Sequence, residues 1–346
     1  MQEQDNTPAK ALRRIATEEA FSIPEHFDAI RALIAAGSQD PDLTLWRHFQ
    51  GNHRPVFVDN LQDVDFQRLR TMDELGVSMH LLSLTSPGVQ MLDADRATGL
   101  AELANDRLAE IIARHPTRYA GLASFAPQDP KRAAREMERA VNDLKLNGFV
   151  LNSHTNGEYL DEPKFRPILE AAEGLGAAIY LHPRTPPKPV ADLANKYGLE
   201  TGMWGYQTDA ALHSLRMMYG GVFDDFPGLK FVLGHMGEGL PYWAWRLDYW
   251  GRNGGRRPPV KRAPSEYLQE NFAITTSGME WTPVLKFCID TLGADKIMFA
   301  IDYPYQEPEP AVRWLDSADI SEEHRAMIYS GNAERIFRIP AEQPAG

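Results

Sequence analysis

Arg13-Arg14-Ile15-Ala16-Thr17-Glu18-Glu19-Ala20 is the stretch on which the fold turns. Its first five residues form a short, apolar-centred run that predicts a strand, and two carboxylates follow directly. In a doubly wound open sheet the first strand is followed by a glycine-rich phosphate fingerprint. Here Glu18-Glu19-Ala20 stands in that place. A strand that runs into acids rather than glycines suits a closed barrel, whose chemical groups sit at the C-terminal ends of its strands.

Working outward, seven more runs predict strands: Met79–Leu84, Tyr119–Phe125, Gly148–Asn152, Ala177–Leu181, Lys230–Gly234, Phe272–Thr276 and Lys296–Ile301. Most are continuously apolar, as expected of parallel strands buried on both faces. Helical patterns lie between them, over Asp65–Leu75, Ala97–His115, Asp129–Leu146, Pro163–Leu175, Thr208–Tyr219 and Glu280–Leu292. Eight such repeats predict an α/β fold, a (β/α)8 TIM barrel. Two segments are too long for ordinary connections and read as insertions after strands 1 and 5: Ser22 to about Val64, and Pro183 to Gln207. Long loops after barrel strands sit on the catalytic face and act as lids. Residues 1–12 are polar and read as a disordered extension, leaving 13–340 as a single barrel domain.

The bulk numbers fit this reading. The chain has 346 residues, room for a ~250-residue barrel with insertions. Its net charge of -12 argues against partners that need basic patches, so neither nucleic acid nor a membrane surface is expected. The one cysteine, Cys288, lies in an apolar run and reads as a small core residue. With no apolar leader and no run long enough to cross a bilayer, the cytoplasm is the expected location.

Polar residues fall where a barrel would gather them. Strand 1 ends in Glu18-Glu19, strand 5 in His182, strand 6 in His235 and strand 8 in Asp302. Each has a plainer reading by itself. Glu18 could pair with Arg13 or Arg14, His182 could be a satisfied core histidine, and Asp302 could cap a helix. Four such residues at four strand ends are less easily explained one by one. Together they predict a three-ligand metal site with open positions. Two carboxylates and one imidazole favour a harder ion, so one divalent metal is expected, Mn²⁺ ahead of Zn²⁺.

The motifs Ala16-Thr17-Glu18-Glu19-Ala20-Phe21, Tyr180-Leu181-His182-Pro183, Gly234-His235-Met236-Gly237-Glu238 and Asp302-Tyr303-Pro304-Tyr305 resemble the decarboxylase branch of the amidohydrolase superfamily. That branch includes the 5-carboxyvanillate, γ-resorcylate and dihydroxybenzoate decarboxylases. The resemblance implies that Glu18, His182 and Asp302 bind the metal. It makes Asp302, His235 and Glu238 catalytic, with Glu238 orienting His235. It also implies substrate contacts from Arg246 and Tyr305, and a homo-oligomer, dimer or tetramer. His154, at the end of strand 4, reads equally as pocket wall or structural hydrogen bond. In the first long loop, Arg54 is the nearest candidate for a substrate-binding arginine, and Phe49 stands in place of a pocket tyrosine. The hydrolases of the superfamily carry His-x-His on strand 1 and a lysine at the end of strand 4. Ala20 and the lysine-free end of strand 4 speak against a binuclear site.

The expected reaction is therefore non-oxidative loss of carbon dioxide from a small hydroxylated aromatic acid, with the ring carbon protonated before CO₂ leaves. The alternatives are a metal-dependent hydrolase of a lactone or amide, and a non-catalytic small-molecule binding protein on the same barrel.

Overall fold

The computed structural model describes residues 12–49, 55–254 and 260–341. Eight parallel strands form one sheet in sequential order: β1 (Ile15–Phe21), β2 (Met79–Leu84), β3 (Tyr119–Ser124), β4 (Gly148–Asn152), β5 (Ile179–His182), β6 (Phe231–Leu233), β7 (Phe272–Thr275) and β8 (Ile297–Met298). The sheet curls into a TIM barrel. Its last seam is made by main-chain bonds from Thr17 N to Phe299 O (3.0 Å) and from Ala20 N to Tyr303 O (2.8 Å).

Alternation along the strands divides the core into two layers. Ile15, Leu81, Leu122, Val150, Tyr180, Val232, Ala273 and Met298 pack together, one from each strand, and fill the barrel. Phe337 and Ile339 near the C-terminus join this interior layer. Ala16, Leu82, Ala123, Leu151, Leu181, Leu233, Ile274 and Ile297 face the other way, toward the surrounding helices. This double burial is why the strands read as continuous apolar runs.

The first strand departs from the sequence expectation. It continues through Phe21 rather than ending at Thr17, and its register against β2 shifts between Ala16 and Glu19. Ile15 faces the interior and Ala16 the helices, so strict alternation would send Glu18 outward. A bulge changes the parity of every later residue. It turns Glu18 into the barrel and Glu19 out of it. β8 is shorter than expected because its end leaves the ladder before Asp302, which has a left-handed φ of 74°.

The two long connections carry helices. Between β1 and β2 lie Pro24–Ala35, Leu43–His48, Pro55–Gln62 and Gln67–Glu74, and Gly205–Tyr219 lies between β5 and β6. One buried cation ties the connections together. Arg184, just after β5, donates from Nε to Asp42 Oδ2 (2.6 Å) and from Nη2 to Asp40 Oδ1 (2.8 Å). Residues 1–11, most of the expected disordered extension, lie outside the described residues, as does Arg54; Leu12 packs against the core. Among the described residues, no helix is long and apolar enough to cross a membrane.

Candidate metal centre and active site

The bulge decides what Glu18 meets. Its carboxylate is buried at the top of the interior layer. Oε2 accepts hydrogen bonds from the hydroxyls of Tyr180, Ser277 and Thr275, the last at 2.9 Å. Oε1 is buried without a hydrogen-bond partner. It lies 3.6 Å from His182 Nε2 and 3.9 Å from His235 Nε2. One ligand atom each from Glu18, His182 and Asp302 fall within 4.8 Å of one another. Gly234 permits the crowding, since a Cβ there would stand 2.9 Å from both Glu18 oxygens.

The imidazole of His182 is held ready as a ligand. Its Nδ1 lies 2.7 Å from the carbonyl oxygen of Pro183, which can only accept. The proton therefore sits on Nδ1, and the Nε2 lone pair faces Glu18. Burial holds the His182 pKa below its ordinary value despite the pull of Glu18. A neutral nitrogen, a hydroxyl-anchored carboxylate with one free oxygen, and a second carboxylate form a hard, mixed donor set that fits a divalent cation.

His235 and Glu238 come from a turn of unusual handedness. His235, Met236, Gly237, Glu238 and Gly239 all have φ between 49° and 80°. Side chains other than glycine disfavour this region by ~1–2 kcal/mol per residue. Such strain persists where packing over-determines it. Here Ser277 Oγ accepts from His235 N at 3.1 Å, and His235 Nδ1 donates to Glu238 Oε1 at 2.8 Å. Burial alone would lower the His235 pKa, but Glu238, then Glu18 and Asp302, push it up to about 10.

Asp302 closes the group. Burial, then the charge of Glu18, pushes its carboxyl well above the usual range, only partly offset by His235. Glu18 moves the other way. Burial would raise it, but His235, His182 and the hydroxyls of Ser277 and Tyr180 hold it below its usual value. The two carboxyls thus differ in readiness to carry a proton, as in sites where one acid transfers protons and the other remains charged.

A cavity of about 970 Å³ opens above these groups. His182, His235, Glu238, Asp302, Tyr305 and Ser86 line its polar end, and Trp46, Phe49, Trp204, Leu212, Trp243 and Leu247 line its apolar part. Tyr305 shares a 2.5 Å hydrogen bond with Thr85, and Phe49 stacks near Phe57 with ring centroids 4.6 Å apart.

The structure thus brings together Glu18, His182, His235, Glu238, Asp302, Tyr305 and Phe49. Two expected contacts are not brought in. His154 does not line this cavity: Nε2 donates to Thr185 O at 3.0 Å and Nδ1 accepts from Gly157 N at 3.2 Å. Both ring nitrogens are occupied by backbone. Arg246 is exposed on the helix Leu240–Asn253, where its guanidinium lies 5.9 Å from the centre of the Trp250 ring. Leu240, Trp243 and Leu247 of that helix line the cavity, and Arg246 is not among the lining residues. Arg13 and Arg14 pair with Glu334 and Asp316, so neither holds Glu18. Sequence reasoning passed over Tyr180, Thr275 and Ser277. Their only signal was a hydroxyl at an inward-facing position.

The sequence matches the Amidohydrolase family model over residues 40–339. The chain belongs to the amidohydrolase family. Within it, this amidohydrolase is 37% identical over 331 residues to the γ-resorcylate decarboxylase of Polaromonas sp. strain JS666, covering 92% of this chain and 98% of the relative. The crystal structure of 5-carboxyvanillate decarboxylase from Sphingomonas paucimobilis superposes with a TM-score of 0.92 at 49% identity, covering 95% of this chain and all of that one. The 5-carboxyvanillate decarboxylase of Novosphingobium aromaticivorans, solved with manganese and 4-hydroxy-3-methoxy-5-nitrobenzoic acid, has a TM-score of 0.92 at 38% identity, covering 95% and 96%. The amidohydrolase described here is thus an enzyme whose relatives include carboxy-lyases.

Proposed function

We propose that this chain catalyses non-oxidative decarboxylation of a hydroxylated aromatic acid, 5-carboxyvanillate-like or dihydroxybenzoate-like, with one divalent ion, Mn²⁺ by preference. The carrying observation is the buried, unpartnered Oε1 of Glu18 facing His182 Nε2 and Asp302 beneath an aromatic-lined cavity. Glu18, His182 and Asp302 would hold the ion. Bound there, it would supply positive charge for the phenolate and carboxylate oxygens of the substrate.

Direct loss of CO₂ from an aryl carboxylate would leave an aryl anion, so the ring carbon must be protonated first. An ortho phenolate makes that carbon basic. In this reading Asp302 takes the phenol proton and delivers it to the ring carbon bearing the carboxylate. The C–CO₂ bond then breaks, its electron pair restores the aromatic ring, and CO₂ leaves. His235, held by Glu238, keeps a positive edge beside Asp302 and fixes its orientation. Phe49, Tyr305 and the aromatic wall exclude water and hold the ring.

A homo-oligomer is part of the proposal. The helix Leu240–Asn253 exposes Tyr242, Trp243, Trp245, Tyr249 and Trp250, a composition favoured at subunit contacts.

The deciding experiment supplies the enzyme with Mn²⁺ and a panel of hydroxybenzoic acids in heavy water. The expected result is CO₂ release with deuterium at the ring carbon that bore the carboxylate. Hydrolysis of a lactone or amide panel with no CO₂ release, or metal binding without turnover of either panel, would overturn the reading.

A further inference from the structure

Glu19 has no place in the reaction above, yet it is completely buried beside the centre. The bulge that turns Glu18 inward turns Glu19 toward the outer layer, under the segment that follows β8. There its carboxylate spans two main-chain amides. Oε1 accepts from Ile301 N at 2.9 Å and Oε2 accepts from Tyr303 N at 3.1 Å. These amides belong to the residues immediately before and after Asp302.

We infer that Glu19 is a positioning residue: its carboxylate clamps the two amides flanking Asp302 and so fixes where the Asp302 side chain stands in the metal centre. Three observations carry this. Asp302 has a left-handed backbone with φ 74°, a conformation that needs support from its surroundings. The amides on either side donate to this one side-chain carboxyl group rather than to a main-chain carbonyl of a neighbouring strand. A second buried charge holds the same frame, since Arg68 donates from Nη2 to Ala20 O at 2.7 Å and its guanidinium lies 4.6 Å from the centre of the Tyr303 ring. Arg68 thus grips the residue after Glu19 and the residue after Asp302 together. One pair of adjacent acids on β1 serves the centre in two ways: Glu18 faces it, and Glu19 holds a second proposed ligand in place from behind.

The inference rests on the proposed metal centre, not on the identity of the substrate. It is tested by titrating Mn²⁺ into the purified chain without substrate and reading free Mn²⁺ by electron paramagnetic resonance. Glu19→Gln keeps the shape but places an amide N–H against a backbone N–H. It should weaken Mn²⁺ binding by ~10–100-fold, the range typical of groups that orient metal ligands. On any substrate that proves active, kcat should fall while KM changes little. Glu19→Asp retains the charge but is too short to span both amides, so its Mn²⁺ affinity should fall between the two. A folded Glu19→Gln chain with parent-like Mn²⁺ affinity and kcat overturns the inference. Should that variant fail to fold, parent-like Mn²⁺ affinity in Glu19→Asp overturns it instead. Absence of decarboxylation with the affinity loss intact would reject the proposed reaction and leave the clamp standing.

Discussion

His235 Nδ1 and Glu238 Oε1 lie 2.8 Å apart across a turn whose five residues all adopt left-handed backbone angles. In an ordinary right-handed helix, residues three apart also meet, but on the outer surface. Here the reversed turn folds the pair into the mouth of the barrel, so the geometry that strains the chain also seats the His235 imidazole in the same cavity lining as Asp302. Glu238→Gln removes the largest of the charges that push the His235 pKa up to about 10. The imidazole should then titrate at lower pH by NMR, and kcat should drop ~10–100-fold. An unchanged titration would show that Glu18 and Asp302 alone hold the charge.

Asp302→Asn removes the proposed proton carrier and leaves the shape. The variant should fold normally and lose ~10²–10⁴ in kcat, the usual weight of a positioned acid–base group. Near-normal turnover under saturating metal would assign the proton transfer to another residue.

Chelation should abolish activity, and added Mn²⁺ should restore it. It should also lower thermal stability, because an ion that binds only the folded chain stabilises it by about 2.7 kcal/mol at ~100 times its Kd. A melting temperature indifferent to chelator and to Mn²⁺ would place the ion elsewhere or nowhere.

Acid stability tests a group remote from the centre. His26 is buried; Nε2 donates to Gly88 O at 3.1 Å, and Nδ1 lies 2.9 Å from Ser22 Oγ. Burial lowers its pKa from 6.5 to about 4, against a smaller opposing effect of the Gly88 bond. The unfolded chain takes up the proton first, so the neutral ring's contribution is full above 6.5 and is lost as pH falls through about 4. The difference amounts to about 3 kcal/mol. His26→Gln should flatten the fall of the urea midpoint across that window; an unaltered slope would point to other buried histidines.

The barrel was legible because parallel strands buried on two faces leave unbroken apolar runs, and the candidate metal-site residues because acids and imidazoles directly after such runs have few other reasons to be there. The reading failed where geometry depends on a single inserted residue. Nothing in Ala16-Thr17-Glu18-Glu19 announces a bulge. Without it, the parity of Glu18 and Glu19 cannot be assigned, nor can the partners Tyr180, Ser277 and Arg68. His154 read equally as pocket wall or structural hydrogen bond because it follows a strand, and the positive φ of 40° at Ser153 redirects the chain there. The resemblance that implies a substrate contact for Arg246 fixes its place along the helix after His235 but not which way that helix faces.

The Arg184 bridge to Asp40 and Asp42 has a consequence for traffic into the enzyme. Breaking a buried ion pair of this kind costs about 3–5 kcal/mol. The segments after β1 and β5 therefore stay bolted together through each catalytic cycle, and a ring-shaped guest does not arrive by lifting them apart. Arrival and departure rates should therefore be indifferent to tightening the bolt.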